Sequence, residues 1–296
     1  MRRTWAVAAL VSLAMPPLAG ADAAYKKEIE AWRTKREERL RADGGWLTVV
    51  GLNWLKEGPN TLGSDRGNDI VLPAPAPAKV GVIELSKGKA SVRVQPGVRV
   101  TANQAPVTAM DLRPDTAKDG PDVLVLGPLA LHVIERGGRY AVRVKDKESV
   151  RRRQFTGLKW FPVREEYRVQ ARFQPHAVNK RILIPNVLGT EEEMISPGYV
   201  TFQLNGVEHR LEPVLEDPSA QELFFIFRDG TAGKDTYPAG RFLYTPLPKD
   251  GTVVLDFNQA YSPPCAFTAF ATCPLPPKQN RMETRVEAGE KRPAGH

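Results

Sequence analysis

The sequence predicts a mainly β protein: an N-terminal helix, a sandwich-like β half, and a second antiparallel β half closed by a proline-rich C-terminal tract. Three observations carry that prediction. A sustained helical period falls over residues 25–41, where Ile29, Trp32, Arg33, Arg36 and Leu40 lie near one stripe and charges fill the rest. From Trp46 onward the pattern becomes short period-two runs separated by Gly, Pro and Asn turn signals. Proline then gathers near the end, at Pro263, Pro264, Pro274, Pro276 and Pro277. Proline fixes φ and removes a donor, so this tract is expected to be pinned and irregular.

The first 23 residues read as an export signal. Arg2 and Arg3 supply a positive start, an apolar run follows over 5–15, and small residues at 19–23 fit a cleavage site. The run is too short to span a bilayer, and no later stretch reaches the length of a membrane helix. The expectation is a periplasmic or secreted protein without a membrane span. The helix, assigned to 24–45, ends at Asp43-Gly44-Gly45 and reads as scaffold.

Residues 46–145 form the sandwich-like half. Runs at 69–72, 80–85, 90–94, 98–101, 123–126, 130–135 and 140–145 are divided by Lys87-Gly88, Gly127-Pro128 and Gly137-Gly138. Short strands at such spacing favour a sandwich or barrel over a parallel α/β sheet. Pro73, Pro75 and Pro77 exclude a central strand there. Gly63-Ser64-Asp65-Arg66-Gly67-Asn68 and the later Ala102-Asn103-Gln104-Ala105-Pro106-Val107 are weakly similar to the opening loop and turn of forkhead-associated β-sandwiches. Ser64 stands where that family carries its phosphothreonine-reading arginine, so the resemblance implies the fold and not the ligand.

Residues 146–296 form the second half. Period two is cleanest over 163–173, with Val163, Tyr167, Val169 and Phe173 on one face and Arg164, Arg168 and Arg172 on the other. Residues 190–195 read as a loop. Asn205-Gly206 between two apolar runs is a strong hairpin signal.

The net charge of +8 suits an acidic ligand or an anionic surface, and is too mild for a dedicated nucleic-acid binder. No catalytic or cofactor fingerprint is present, so no cofactor is implied. The four histidines are scattered, and His176, in a loop after Pro175, reads first as a solvated loop histidine and second as an acid or base. The densest polar cluster is Asp229, Tyr237 and Arg241 around a strand-loop-strand turn, with Asp256 and Asn258 at the next strand end. Cys265 and Cys273 fit a disulfide in an oxidising compartment, two buried thiols, or half of a metal site. The lack of a nearby histidine counts against metal, and the disulfide is the expectation carried forward.

Several segments together resemble the bacterial domain of unknown function 1684 family. They are Gly51-Leu52-Asn53-Trp54-Leu55, the Gly157-Leu158 and Trp160-Phe161-Pro162 pair, Gly240-Arg241-Phe242, and the tract from Asp256-Phe257-Asn258 through Cys265 and Cys273 to Asn280 and Glu290. The resemblance implies a shared fold and no activity. It also implies that similar tracts occur in members without an export signal, which favours a site or structural role for the thiols themselves. Ser262 departs from the pattern, which more often has Asn.

Three function classes follow. The leading one is an exported protein binding a small or acidic ligand between the 229–241 loop and the 265–290 tract, through Tyr237, Arg241, Asn258, Asn280 and Glu290. The second is a hydrolase-type enzyme with Asp229 or Asp256 as base and Arg241 as anion clamp. The third is an envelope interaction or structural module, with a protein partner for the sandwich-like half.

Overall fold

The computed structural model describes residues 19–293. Most of the expected export signal, residues 1–18, lies outside the described residues. The chain is mainly β behind one long helix, α1 (Ala19–Arg41). α1 is already helical at Ala19, ahead of the predicted start at 25. Tyr25, Ile29, Arg36 and Leu40 are buried along one stripe, as the period requires. The helix ends at Arg41, and the chain folds back tightly over its last turn at Gly45, where a Cβ would lie 2.3 Å from the Leu40 carbonyl oxygen.

Eleven strands follow: β1 (Val49–Trp54), β2 (Gly58–Gly63), β3 (Ile70–Val71), β4 (Gly81–Ser86), β5 (Lys89–Val94), β6 (Thr101–Ala102), β7 (Ala105–Pro106), β8 (Ala109–Leu112), β9 (Leu124–Leu126), β10 (Leu129–Arg136) and β11 (Arg139–Asp146). They form a six-stranded sheet of order β1-β11-β10-β9-β6-β7 and a five-stranded sheet of order β3-β2-β4-β5-β8. The two sheets share one core, in which Ile83 and Val92 meet Leu131, Val133, Val142 and Val144. This is the sandwich that regular spacing of short runs predicts. Only β2 with β3 pairs in parallel among the named strand pairs of the described residues.

After the short helix α2 (Val150–Gln154) come β12 (Arg168–Pro185), β13 (Glu191–Leu204), β14 (Val207–Leu211), β15 (Glu222–Phe227), β16 (Arg241–Pro246) and β17 (Thr252–Asp256). They make a four-stranded sheet, β14-β13-β12-β17, and the β15-β16 hairpin. Phe225, Phe227, Leu243, Leu255 and Phe257 fill the space between them. Asn205 and Gly206 turn β13 into β14 with φ of +53° and +75°, the conformation the Asn-Gly signal predicts.

Two local expectations change. The strand predicted from 163 begins only at Arg168, and Glu165–Tyr167 is a 3-10 turn. Asn258 explains this: its side chain accepts from the Arg164 N–H at 3.1 Å and donates to the Arg164 carbonyl at 2.9 Å. Both backbone groups of that residue are thereby taken from any ladder. Residues 190–195, read as a loop, belong to β13 and pair with the end of β12, Glu192 opposite Ile184 and Met194 opposite Ile182. The three glutamates hide a strand because Glu191 and Glu193 face solvent while Met194 and Ile195 are partly covered.

The outer face of the six-stranded sheet turns toward the second half. Leu52, Arg143 and His132 stand opposite one another across β1, β11 and β10 on that face. The C-terminal tract is wedged against it, with the Thr268 hydroxyl donating to the Val49 carbonyl at 3.0 Å and Arg136 Nε donating to Thr272 Oγ1 at 3.2 Å.

Candidate functional site: a cleft between the halves

The tail does fold back onto Asp229 and Arg241, and the contact is filled by its own backbone. Both side chains are buried. Asp229 accepts from Arg241 Nη2 at 3.0 Å, from the Val286 N–H at 2.8 Å and from the Thr231 hydroxyl. Arg241 donates to the Val286 carbonyl at 2.9 Å and to the Ala288 carbonyl. Gly240, with φ +109°, lets β16 enter here, since a Cβ would lie 2.6 Å from Pro276 Cγ. Tyr237 is held apart from this pair, donating its hydroxyl to the Cys265 carbonyl at 3.2 Å.

The other candidates are likewise engaged. Asp256 accepts from the Tyr25 hydroxyl at 2.8 Å, and burial raises its carboxyl above the usual range. Asn258 completes that knot, donating to the same hydroxyl at 2.9 Å. Asn280 clasps Glu212, accepting from its N–H at 2.8 Å and donating to its carbonyl at 2.9 Å. The Glu212 carboxylate meets His176 Nε2 at 2.9 Å and the Ser196 hydroxyl at 3.0 Å, which holds the part-buried His176 at a bulge of β12 rather than in a loop. Glu290 is fully buried beneath Arg36, whose Nε donates to it at 3.3 Å.

That Arg36 marks the edge of a large concavity. An outer chamber of about 650 Å³ lies under α1, bounded by Trp32, Arg36, Arg39, Trp46 and Tyr261. An inner chamber of about 420 Å³ shares Arg36, Trp46, Glu216, Tyr244 and Tyr261 with it and reaches Arg136, Arg143 and Cys273. One wall is a flat aromatic run. Phe224 stacks on Tyr244 at 4.6 Å, and Tyr244 on Tyr261 at 6.4 Å. Arg36 covers the far ring of that run at 4.4 Å. Cavities of this size and mixed lining are typical of small-molecule sites.

The deepest charge in the cleft is Arg143. It is 5% exposed, and its guanidinium lies 5.0 Å from the centre of the Trp46 ring. Its Nε and Nη2 have no hydrogen-bond partner, and among the described residues it makes no salt bridge. Its neighbours compensate it only in part: Asp115 favours its charge, but the Asp115 oxygens are taken by Arg136. Arg136 uses Asp115 through two oxygens at 3.0 and 2.8 Å. Lys145 donates to the Gly44 carbonyl, and its ammonium is pulled below the usual lysine range by burial and by Arg143. His132 is pushed down to about 4, first by burial and then by Lys145 and Arg143, so it is neutral near pH 7. Burial lowers Arg143 itself to about 10, which leaves it cationic at neutral pH. A buried cation without a counter-charge is costly unless an anion completes it.

Cys265 and Cys273 form a disulfide with Cα atoms 6.2 Å apart. It closes the loop that supplies Pro264, Thr272 and Cys273 to the inner chamber. Replacing both cysteines with serine is expected to lower stability by about 2–3 kcal/mol on the chain-entropy account. Urea midpoints of oxidised and variant protein measure this, and equal midpoints would show that the bond contributes nothing.

Residues 153–291 match the family model described as Protein of unknown function (DUF1684). The chain is also similar to an uncharacterised protein of Haloarcula marismortui, solved in solution by NMR. The two are 32% identical over 49% of this chain and 82% of that one, with a TM-score of 0.42. This chain belongs to the DUF1684 family. The matched span holds the second half and the whole proline-rich tract, so the DUF1684 region supplies the aromatic and disulfide walls of the cleft. Arg143 and Trp46 come from outside it. The chain is also similar to the FHA-2 domain of a Mycobacterium tuberculosis ABC transporter, at 24% identity over 30% of this chain and 77% of that domain, with a TM-score of 0.23. No curated protein matches the chain. Among the described residues no helix is long and apolar enough to cross a membrane.

Sequence reasoning missed Arg143, and placed Arg36 on the helix stripe as scaffold only. A signal for Arg143 was present. In β10, Leu129, Leu131 and Val133 point into the sandwich, yet the alternate positions Ala130, His132 and Ile134 are also largely apolar. Apolar residues on both faces mean that both faces are covered. An arginine across from His132 on that outer face is therefore a buried arginine.

Proposed function

We propose that this DUF1684 protein is exported and binds a small acidic ligand in the cleft between its halves, the anionic group on Arg143 and an apolar or aromatic body along Phe224, Tyr244 and Tyr261. The observation that carries this reading is Arg143: a cation nine-tenths buried, unpaired, and facing a chamber of ligand size. A forked guanidinium donor suits a carboxylate or phosphate oxygen pair. The aromatic wall supplies apolar area at little conformational cost. Export rests on the charged, apolar and small-residue order of the first 23 residues, and a disulfide suits an oxidising compartment.

Compared with the site expected from sequence, the 265–290 tract keeps its part as a wall. The pair Asp229 and Arg241 serves to anchor that tract.

The test is a thermal-shift screen of small carboxylates and phosphates with the intact protein and with Arg143→Met, circular dichroism confirming that the variant folds. Anions that raise the melting temperature of the natural protein are expected to lose that effect in Arg143→Met. Hits equally strong in both proteins, or no hit at all, would remove the cleft as an anion site.

A further inference from the structure

The inner chamber holds three arginines and two glutamates, and their pairing is uneven. Arg36 is matched by Glu290, and Arg136 by Asp115. Arg143, at the floor, is unmatched. Glu192 and Glu216 line the same chamber, make no salt bridge among the described residues, and are both exposed, which puts them toward its rim. Glu192 reaches the chamber because it stands opposite Ile184, whose side chain is buried in the cluster beside Cys273. Glu216 lines the chamber near Tyr244, the middle ring of the aromatic wall, and burial raises its carboxyl above the usual range. The lining therefore presents one buried cation without a salt bridge, an aromatic wall, and two exposed glutamates without a salt bridge among the described residues.

Resting on the proposed anion site at Arg143, we infer that the ligand is amphoteric: a planar or aromatic carboxylic acid that carries a cationic amine at the end away from its carboxylate. The carboxylate answers Arg143, the ring lies along Tyr244 and Phe224, and the ammonium meets Glu192 and Glu216. A ligand with negative charge at both ends satisfies the floor and is repelled at the rim, where like charges meet. A plain monocarboxylate gains the floor and the wall and leaves the rim carboxylates in water.

Three para-substituted benzoates of matched shape separate these cases: 4-methylbenzoate, 4-(aminomethyl)benzoate and terephthalate. Isothermal titration of each into the full chain at neutral pH and low salt is expected to rank the aminomethyl compound first, about five-fold tighter than the methyl compound, as one partly exposed charge pair supplies. Terephthalate is expected to rank last. In Glu192→Gln/Glu216→Gln the ratio between the aminomethyl and methyl compounds is expected to fall to about one, and added salt should shrink it in the natural protein. Equal affinity for the methyl and aminomethyl compounds, with both lost in Arg143→Met, overturns the amphoteric ligand and leaves the anion site standing. A preference for terephthalate overturns it as well. If none of the three binds, this ligand class is overturned, and the wider anion screen decides separately on Arg143.

Discussion

Asp229→Ala is expected to cost about 3–5 kcal/mol of folding stability, the loss found when one partner of a buried ion pair is removed. Arg241 is the reason. It is 0% exposed, its charge has Asp229 as its carboxylate partner, and its terminal nitrogens also donate to the Val286 and Ala288 carbonyls, while Nε has no partner. Without Asp229 the guanidinium stays buried and uncompensated, and the Val286 N–H and the Thr231 hydroxyl lose their acceptor. Most domains have only about 5–15 kcal/mol in total, so the variant sits near the edge of folding. Replacing both partners with apolar residues, Asp229→Leu with Arg241→Met, should recover much of the loss, because the desolvation cost of the pair disappears with it. Urea unfolding of the two variants beside the natural protein measures this. A single variant within about 0.5 kcal/mol of the natural protein, the range of ordinary surface changes, would show that the tail is not anchored here.

Arg36→Met is the second large effect, and it carries a pH signature. Arg36 donates to Glu290, reaches the Ser262 carbonyl at 2.9 Å and covers Tyr261 and Phe267. Glu290 is fully buried, and burial raises its carboxyl above the usual range while Arg36 pulls it back. A carboxyl raised in the fold favours folding where it is protonated and opposes it as pH climbs from the unfolded value toward the folded one. Removing Arg36 raises the folded value further and widens that window. The stability deficit of Arg36→Met is therefore expected to be modest near pH 4, where Glu290 accepts a proton, and to grow to about 3 kcal/mol by pH 7. Urea midpoints from pH 4 to 8 test this, and a deficit independent of pH would show that Glu290 is not coupled to Arg36. The same variant removes a residue shared by both chambers, so altered affinity for anions is to be read only where the protein is folded.

The fold was legible in the sequence because its strongest signals are local. The α1 stripe, the Asn205-Gly206 turn and the proline-rich tract each state their own conformation through backbone restriction or periodicity. The tract contains no named strand beyond Asp256 among the described residues, only 3-10 turns at Phe257–Gln259, Pro264–Ala266 and Lys278–Asn280. The pairing of Cys265 with Cys273 was also within reach of sequence. The site was not, because its residues come from segments far apart in the chain. Asp229 and Arg241 stood out as a dense polar cluster, and density of that kind equally describes a buried anchor. Arg143 stood in a run of alternating character where an outward arginine looks solvated. Only the docking of the second half onto that face turns it into a buried, unpaired charge. Residues 190–195 failed for a related reason: three successive glutamates look like a loop until Ile182 and Ile184 are known to lie opposite.

The C-terminal anchor has a consequence for biosynthesis. Arg36 and Glu290 lie 254 residues apart, and Asp229 and Arg241 also wait for residues 286–288. A chain still on the ribosome holds these charged groups without their counterparts, however complete its sheets. The second half is sealed only once the last of those residues has emerged. A product cut short before residue 286 thus lacks the backbone that covers Asp229 and Arg241.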